Sequence, residues 1–210
     1  MWTDAIVAGL QRGDQVLDVG ANMGALAEAA LPVTGPGTIV AIEPDDRCWP
    51  ALTALGATVW TCVAWDTIGE TVPFYVAGAD ATLSSAYRAA IDGEAREESR
   101  QTITVDAVAT GLSRLRLVKI DAQGAEARIL EGARQTLARP GLRWCVELWP
   151  AVQGDGVETV ICTFERRGAR VLAATKELRS EPWLSWADVR DRVARLSGPH
   201  IHTNLLVECP

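Results

Sequence analysis

Val16-Leu17-Asp18-Val19-Gly20-Ala21-Asn22-Met23-Gly24 reads as a buried strand that breaks into a glycine-containing turn and enters the alanine-rich helix pattern of Gly24 to Ala30. A strand, tight turn and helix in that order open a β-α-β unit. They leave free backbone N–H groups at the helix N-terminus, where a ligand can approach closely because side chains are missing. The segment therefore predicts an α/β fold with a nucleotide-like ligand at the end of its first strand.

Outward from this turn, apolar runs of strand length alternate with helical patterns, the sign of a parallel sheet with crossover helices. The strand candidates are 16–19, 38–42, 57–63, 115–120, 142–147, 170–173 and 203–207, which predict a doubly wound, seven-stranded sheet with helices on both faces. Helices are expected over 125–138, where Ile129, Leu130, Ala133 and Leu137 form one stripe, and over Val157 to Phe164, ending before Gly168. Another begins at Ser185, where Ser185 and Asp188 match a capping box. The stretch 66–106 interrupts the alternation: Val72-Pro73-Phe74-Tyr75-Val76 reads as a hairpin arm and 90–101 as a polar excursion. Two readings stand for this insertion, a wall of a second-substrate pocket or a solvated loop. The whole of 1–210 is read as a single domain.

The details of the turn distinguish ligands. A dinucleotide site wants GxGxxG to receive a pyrophosphate, but Asn22 stands at the second glycine position, leaving Gly20 and Gly24. Asp18, two residues before Gly20, would face a cationic amino group well and a pyrophosphate badly. S-adenosylmethionine carries an ammonium and no phosphate, so the loop favours it over NAD. Glu43 ends the apolar run 38–42, about one β-α-β step later, where a carboxylate can accept from both ribose hydroxyls; a turn acid facing solvent before Pro44 is the plainer alternative.

Composition narrows the partners. A net charge of −7, with arginines scattered among acids, argues against nucleic acid, whose binding rests on clustered Lys and Arg. The five cysteines are far apart, with no metal-finger spacing, and read as reduced thiols. No signal-like N-terminus and no membrane-length apolar run is present, which predicts a cytoplasmic protein without a membrane partner. Oligomeric state is not legible. Of the eight tryptophans, Trp60 and Trp144 are expected in the core, Trp149 in the pocket, and Trp65, Trp183 and Trp186 near strand ends or in the late loop.

Lys119-Ile120-Asp121-Ala122-Gln123-Gly124-Ala125-Glu126, followed by Ile129-Leu130-Glu131-Gly132-Ala133, resembles the FkbM family of methyltransferases, whose usual pattern here is Ile-Asp-x-Glu-Gly-x-Glu and then Leu-x-Gly-Ala. Asp18 to Gly24, Ile42-Glu43-Pro44, Ala64-Trp65-Asp66, Val105-Asp106, Val146-Glu147 and His202 to Leu206 fall in the family's order, so the resemblance runs from about Asp14 to the C-terminus. It implies a class I, Rossmann-like methyltransferase fold, S-adenosylmethionine as methyl donor, and O-methylation of a small molecule or sugar. By alignment it also brings Asp66 to the adenine amino group. Gln123 departs from the pattern, standing where the family usually has Glu.

Methyl transfer from a sulfonium is an in-line displacement that needs the acceptor oxygen about 3 Å from the methyl carbon and relieved of its proton. Asp121, at the carboxyl end of its strand, is the candidate orienting group or base, with Glu147 and His202 facing the acceptor. Glu126 is read either as a pocket acid or as a charge favouring its own helix's first turn. A divalent ion bridging Asp121, Glu147 and Asn204 is conceivable but not favoured, and zinc at His200 and His202 lacks further ligands. The expected cofactor set is Asp18, Gly20, Asn22, Gly24, Glu43 and Asp66. The rival readings are a catalytically silent cofactor-binding module, a nicotinamide oxidoreductase and a nucleic-acid methyltransferase.

Overall fold

A computed structural model describes residues 2–78, 81–91, 93–175 and 184–210. The first half of the chain gives α1 (Trp2–Val7), β1 (Gln15–Val19), α2 (Ala25–Thr34), β2 (Ile39–Ile42), α3 (Trp49–Ala54), β3 (Thr58–Trp60), β4 (Val63–Ala64), β5 (Thr71–Ala77) and β6 (Ala95–Ile103). The second half gives α4 (Val105–Ala109), β7 (Leu115–Ile120), α5 (Glu126–Glu131), β8 (Arg143–Leu148), α6 (Pro150–Gln153), α7 (Gly156–Glu165), β9 (Arg170–Thr175), α8 (Trp186–Ala194) and β10 (Thr203–Glu208).

The expected doubly wound sheet is present, with seven strands in the order β3-β2-β1-β7-β8-β10-β9. It is mixed rather than wholly parallel, because β10 runs antiparallel to both β8 and β9. Its central strands are apolar along their length because helices cover both faces. One face buries Ile129, Val160, Ile161 and Phe164 from α5 and α7 against Val118, Trp144 and Leu205. The other buries Ile6, Leu26, Ala27 and Ala30 from α1 and α2 against Val16, Ile39 and Leu117. β1 pairs with β2 on one side and β7 on the other, so the strand order reverses at its carboxyl end. A crevice opens at such a switch point.

Four expectations are corrected. Residues 57–63 do not form one strand: β3 ends at Trp60, and the chain turns so that β4 pairs with β6 in a separate three-stranded sheet. Trp60 is consequently 41% exposed on the edge strand rather than in the core. The helix expected over 125–138 stops at Glu131 and resumes only as a 3-10 turn, Thr136–Ala138. Its interruption falls at Gly132, where a Cβ would meet the Trp65 carbonyl oxygen at 2.1 Å. The polar excursion 90–101 is mostly β6, paired antiparallel with β5 from Ala77–Ala95 to Thr71–Gln101. Its charged side chains face solvent along much of the strand, which removed the apolar alternation that would have marked it. Trp144 is buried as expected, the capping box at Ser185 and Asp188 is formed, and Trp183 lies outside the described residues. No helix among the described residues is long and apolar enough to cross a membrane.

Candidate cofactor and acceptor site

A cavity of about 240 Å³ lies at the carboxyl ends of β1, β2 and β7. Its floor is the turn after β1. Gly20 (φ 71°) continues the β1–β2 ladder, its N–H donating to the Ile42 carbonyl at 2.9 Å, while Asp121 N–H donates to Val19 O at 3.0 Å. The two turns come so close that a Cβ on Gly20 would sit 1.9 Å from the Asp121 carbonyl oxygen. Gly20 is thus required by the neighbouring turn, whatever it also allows a ligand. Gly24 (φ 92°) starts α2 from the left-handed region, with the space of its missing side chain filled by Leu55 and Leu52.

Asn22 adopts φ 48°, unusual for a residue with a side chain, and its N–H donates to Glu43 Oε2 at 2.7 Å. The other oxygen of Glu43 accepts from Asp45 N–H at 2.8 Å. Burial pushes the Glu43 carboxyl up to about 7, although both N–H groups oppose the shift. Each oxygen retains acceptor capacity beyond its one backbone bond. Over the cavity, Phe74, Ser84 and Ala86 form a roof. It is tied down by Ser84 Oγ donating to Asp45 Oδ2 at 2.8 Å, and by Arg47, which pairs with Asp45 and donates to Ser84 Oγ and Gly78 O.

Lys119 is buried beneath the two turns. Its Nζ stands 3.5 Å from Asp18 Oδ1, 3.2 Å from Asp121 Oδ2 and 3.4 Å from Gly20 O. Burial alone would discharge it, but the charges of Asp121 and Asp18 outweigh burial and hold the ammonium protonated. Burial raises the Asp18 carboxyl despite Lys119. For Asp121 the balance reverses: burial raises it, but the Lys119 charge and hydrogen bond, with a bond from Gln123, hold it below the usual carboxylate range. The cation beside Asp18 is therefore the chain's own Lys119, a partner the sequence reading did not supply. The detectable signal was a lysine inside the otherwise apolar run 117–120.

Beyond Asp121 lies a second polar group. Gln123, also in the left-handed region (φ 52°), donates from Nε2 to Asp121 Oδ1 at 2.9 Å and, over a longer 3.4 Å, to Glu147 Oε2. Burial raises the Glu147 carboxyl well above its usual range, and the charges of Asp121 and Glu126 add to this. His202 Nδ1 is 3.8 Å from Glu147 Oε1. Glu126 faces away from the cavity. Its carboxylate accepts from the N–H groups of Ala122 and Gly124 and from Gln153 Nε2, fixing the turn that carries Gln123.

The structure thus brings Asp18, Gly20, Asn22, Glu43 and Asp121 to one cavity and sets Glu147 and His202 beside it through Gln123. Asp66 is not on its wall. One Asp66 oxygen pairs with Arg128 at 3.2 Å, and the other accepts no hydrogen bond. Trp149 is not on that wall either: it is 4% exposed, donates Nε1 to Pro199 O and meets His202 edge-on, positioning that segment. Among the described residues no group of three or more His, Cys, Asp or Glu is disposed to hold a metal ion.

These residues fit an adenosyl sulfonium. Ile42, Val63, Ala64 and Phe74 give apolar walls, and Glu43 offers remaining acceptor positions to two hydroxyls. At the turn, the carboxylates of Asp18 and Asp121 share one ammonium and Glu43 adds a third carboxyl to the wall, an acidic lining that suits a cationic ligand better than a pyrophosphate.

The comparisons with known proteins agree. The sequence matches the Methyltransferase FkbM domain over residues 18–171, well over half of its length. No curated protein matches it significantly. Among solved structures, it is similar to a methyltransferase FkbM from Methylobacillus flagellatus, with TM-score 0.54 and 14% identity, over 96% of this chain and 45% of that longer one. A putative methyltransferase from Streptococcus mutans in complex with SAH gives TM-score 0.54 at 8% identity, covering 99% of this chain and 95% of that one. A putative rRNA-methylase from Clostridium thermocellum gives 0.56 at 10%, covering 99% and 92%. At these identities the structural likenesses establish the fold, and the domain match establishes the family. The chain belongs to the FkbM methyltransferase family and is an S-adenosylmethionine-dependent methyltransferase.

Proposed function

We propose that this methyltransferase acts on a hydroxyl of a small molecule or sugar, with Asp18, Gly20, Asn22, Gly24 and Glu43 forming the cofactor site and Asp121, Glu147 and His202 on the acceptor side. The observation that carries the reading is the carboxylate pair of Asp121, on the cavity wall, and Glu147, buried behind it and reached through Gln123, with opposite displacements of acidity. When bound, S-adenosylmethionine supplies an electrophilic methyl group. A hydroxyl entering beside it can donate to Asp121, which Lys119 keeps ionised. As the new bond forms, that one proton passes to Asp121 and from there to Glu147, whose burial makes it the stronger base. His202 is placed to pass that proton onward. The net charge of −7 speaks for a small acceptor over a nucleic acid.

The test is S-adenosylhomocysteine release with a panel of sugars and phenols. Glu147→Gln is expected to lower kcat about 100-fold. If S-adenosylmethionine binds but no hydroxylated acceptor elicits release, a silent cofactor-binding module replaces the enzyme described.

A further inference from the structure

We propose that Gln123 is a positioning and specificity-determining residue: its amide nitrogen ties Asp121 to Glu147, and its carbonyl oxygen is left to receive a hydroxyl, so the site takes neutral hydroxylated acceptors and refuses anionic ones. This rests on the O-methylation reading above.

The orientation of the amide follows from its partners. Asp121, which Lys119 keeps ionised, only accepts, so Nε2 and not Oε1 must face it at 2.9 Å. Oε1 then points the other way and has no hydrogen-bond partner among the described residues, while Gln123 lines the cavity. The turn is built to hold it so. Ser85 Oγ donates to the Gln123 carbonyl oxygen at 2.8 Å, and the Glu126 carboxylate anchors the N–H groups on either side, Ala122 at 2.8 Å and Gly124 at 3.0 Å. A non-glycine residue in the left-handed region persists only when its surroundings impose it. An acceptor approaching this group meets Asp121 and Gln123 Oε1, both hydrogen-bond acceptors, with the buried Glu147 behind them. A hydroxyl satisfies them, whereas a carboxylate or phosphate would be repelled by each.

The charged groups facing the pair are Lys119 from β7, Asp18 from β1, Glu126 from α5 and His202 next to β10. Gln123 is the uncharged side chain that hydrogen-bonds to both carboxyl groups. Gln123→Asn keeps the left-handed backbone tolerable but is too short to reach them. Gln123→Glu keeps the reach and adds a third carboxylate.

In the cofactor-free protein labelled with carboxyl carbon-13 Asp and Glu, the titrations of Asp121 and Glu147 should both move upward by about one pH unit in Gln123→Asn, a tenfold change in proton affinity. They should move further in Gln123→Glu. Unmoved titrations in both folded variants would overturn the proposal. With S-adenosylhomocysteine bound, saturation-transfer NMR should show methyl glucoside binding at least tenfold better than methyl glucuronate. Equal binding of the two would also overturn it. If neither sugar binds while the titrations move, the bridge by Gln123 stands and the sugar reading alone fails.

Discussion

Three glycines separate steric crowding from backbone strain, and together they test whether the contact between the turns after β1 and β7 holds the site together. At Gly20 both act: φ is 71°, and an added Cβ would lie 1.9 Å from the Asp121 carbonyl oxygen. At Gly132 crowding acts without a positive φ, with Trp65 O at 2.1 Å. At Gly37 only strain acts, since φ is 74° and nothing lies within 4 Å. The left-handed region costs alanine about 1–2 kcal/mol, partly offset by about 0.4–1 kcal/mol from the stiffer unfolded chain. Gly37→Ala should therefore lose about 1 kcal/mol. Relieving an overlap of more than 1 Å with a backbone oxygen, which cannot rotate aside, costs roughly 1–3 kcal/mol. Gly132→Ala should fall in that range, and Gly20→Ala should lose about 2–4 kcal/mol. Urea unfolding followed by tryptophan fluorescence reads all three. If Gly20→Ala is no less stable than Gly37→Ala, the turns are not in obligatory contact and the reasoning fails.

Glu43→Ala should weaken S-adenosylmethionine binding by about 1–3 kcal/mol; unchanged calorimetric affinity would remove Glu43 from the site. Burial raises Glu43 and Glu126 to about 7, above their unfolded values near 4.5, so the folded state holds the extra protons. Their contribution to stability is complete below the unfolded value and is lost as pH rises through about 7. Glu126→Gln should accordingly flatten the fall in unfolding free energy between about pH 5 and 7, and an unaltered slope would contradict the assignment. Lys119→Met leaves two buried carboxylates without their counter-ion and should cost about 3–5 kcal/mol. Adding Asp18→Asn should recover part of it, whereas simple additivity of the two losses would mean the groups do not interact.

The sheet was legible because its central strands are covered on both faces and so read as apolar runs, of which Ile39 to Ile42 is one. β6 was not, since its outward charged residues carry no apolar signal and its pairing with β5 is a long-range fact. The turn after β1 and Glu43 were read as parts of one ligand site, and Asp18 to Met23 and Glu43 line one cavity, while Gly24 packs against Leu52 and Leu55 instead. What the sequence could not reveal is which groups partner each other across strands. Asp18 was read as facing an outside cation because Lys119, distant in sequence, reaches it only through the β1–β7 register that sets Asp18 against Lys119. Asp66 was assigned from the family resemblance and Trp149 from its place directly after Glu147-Leu148. Their directions depend on Arg128 and Pro199, which approach from other elements.

That register also makes the two halves of the site one electrostatic unit. Lys119 lies between Asp18, on the cofactor side, and Asp121, on the side proposed for the acceptor, and pairs with both. Asp121 is then bonded to Gln123, and Gln123 reaches Glu147. A ligand ammonium placed near Asp18 would compete with Lys119 for that carboxylate. The lysine would then lean toward Asp121, strengthening its ionisation and leaving Glu147 as the group that must take up a proton. Cofactor binding and acceptor activation are coupled on this account through one buried ammonium, without any movement of the backbone. The coupling has a sign: adding S-adenosylhomocysteine should lower the titration of Asp121 and raise that of Glu147, and Lys119→Met should abolish both displacements.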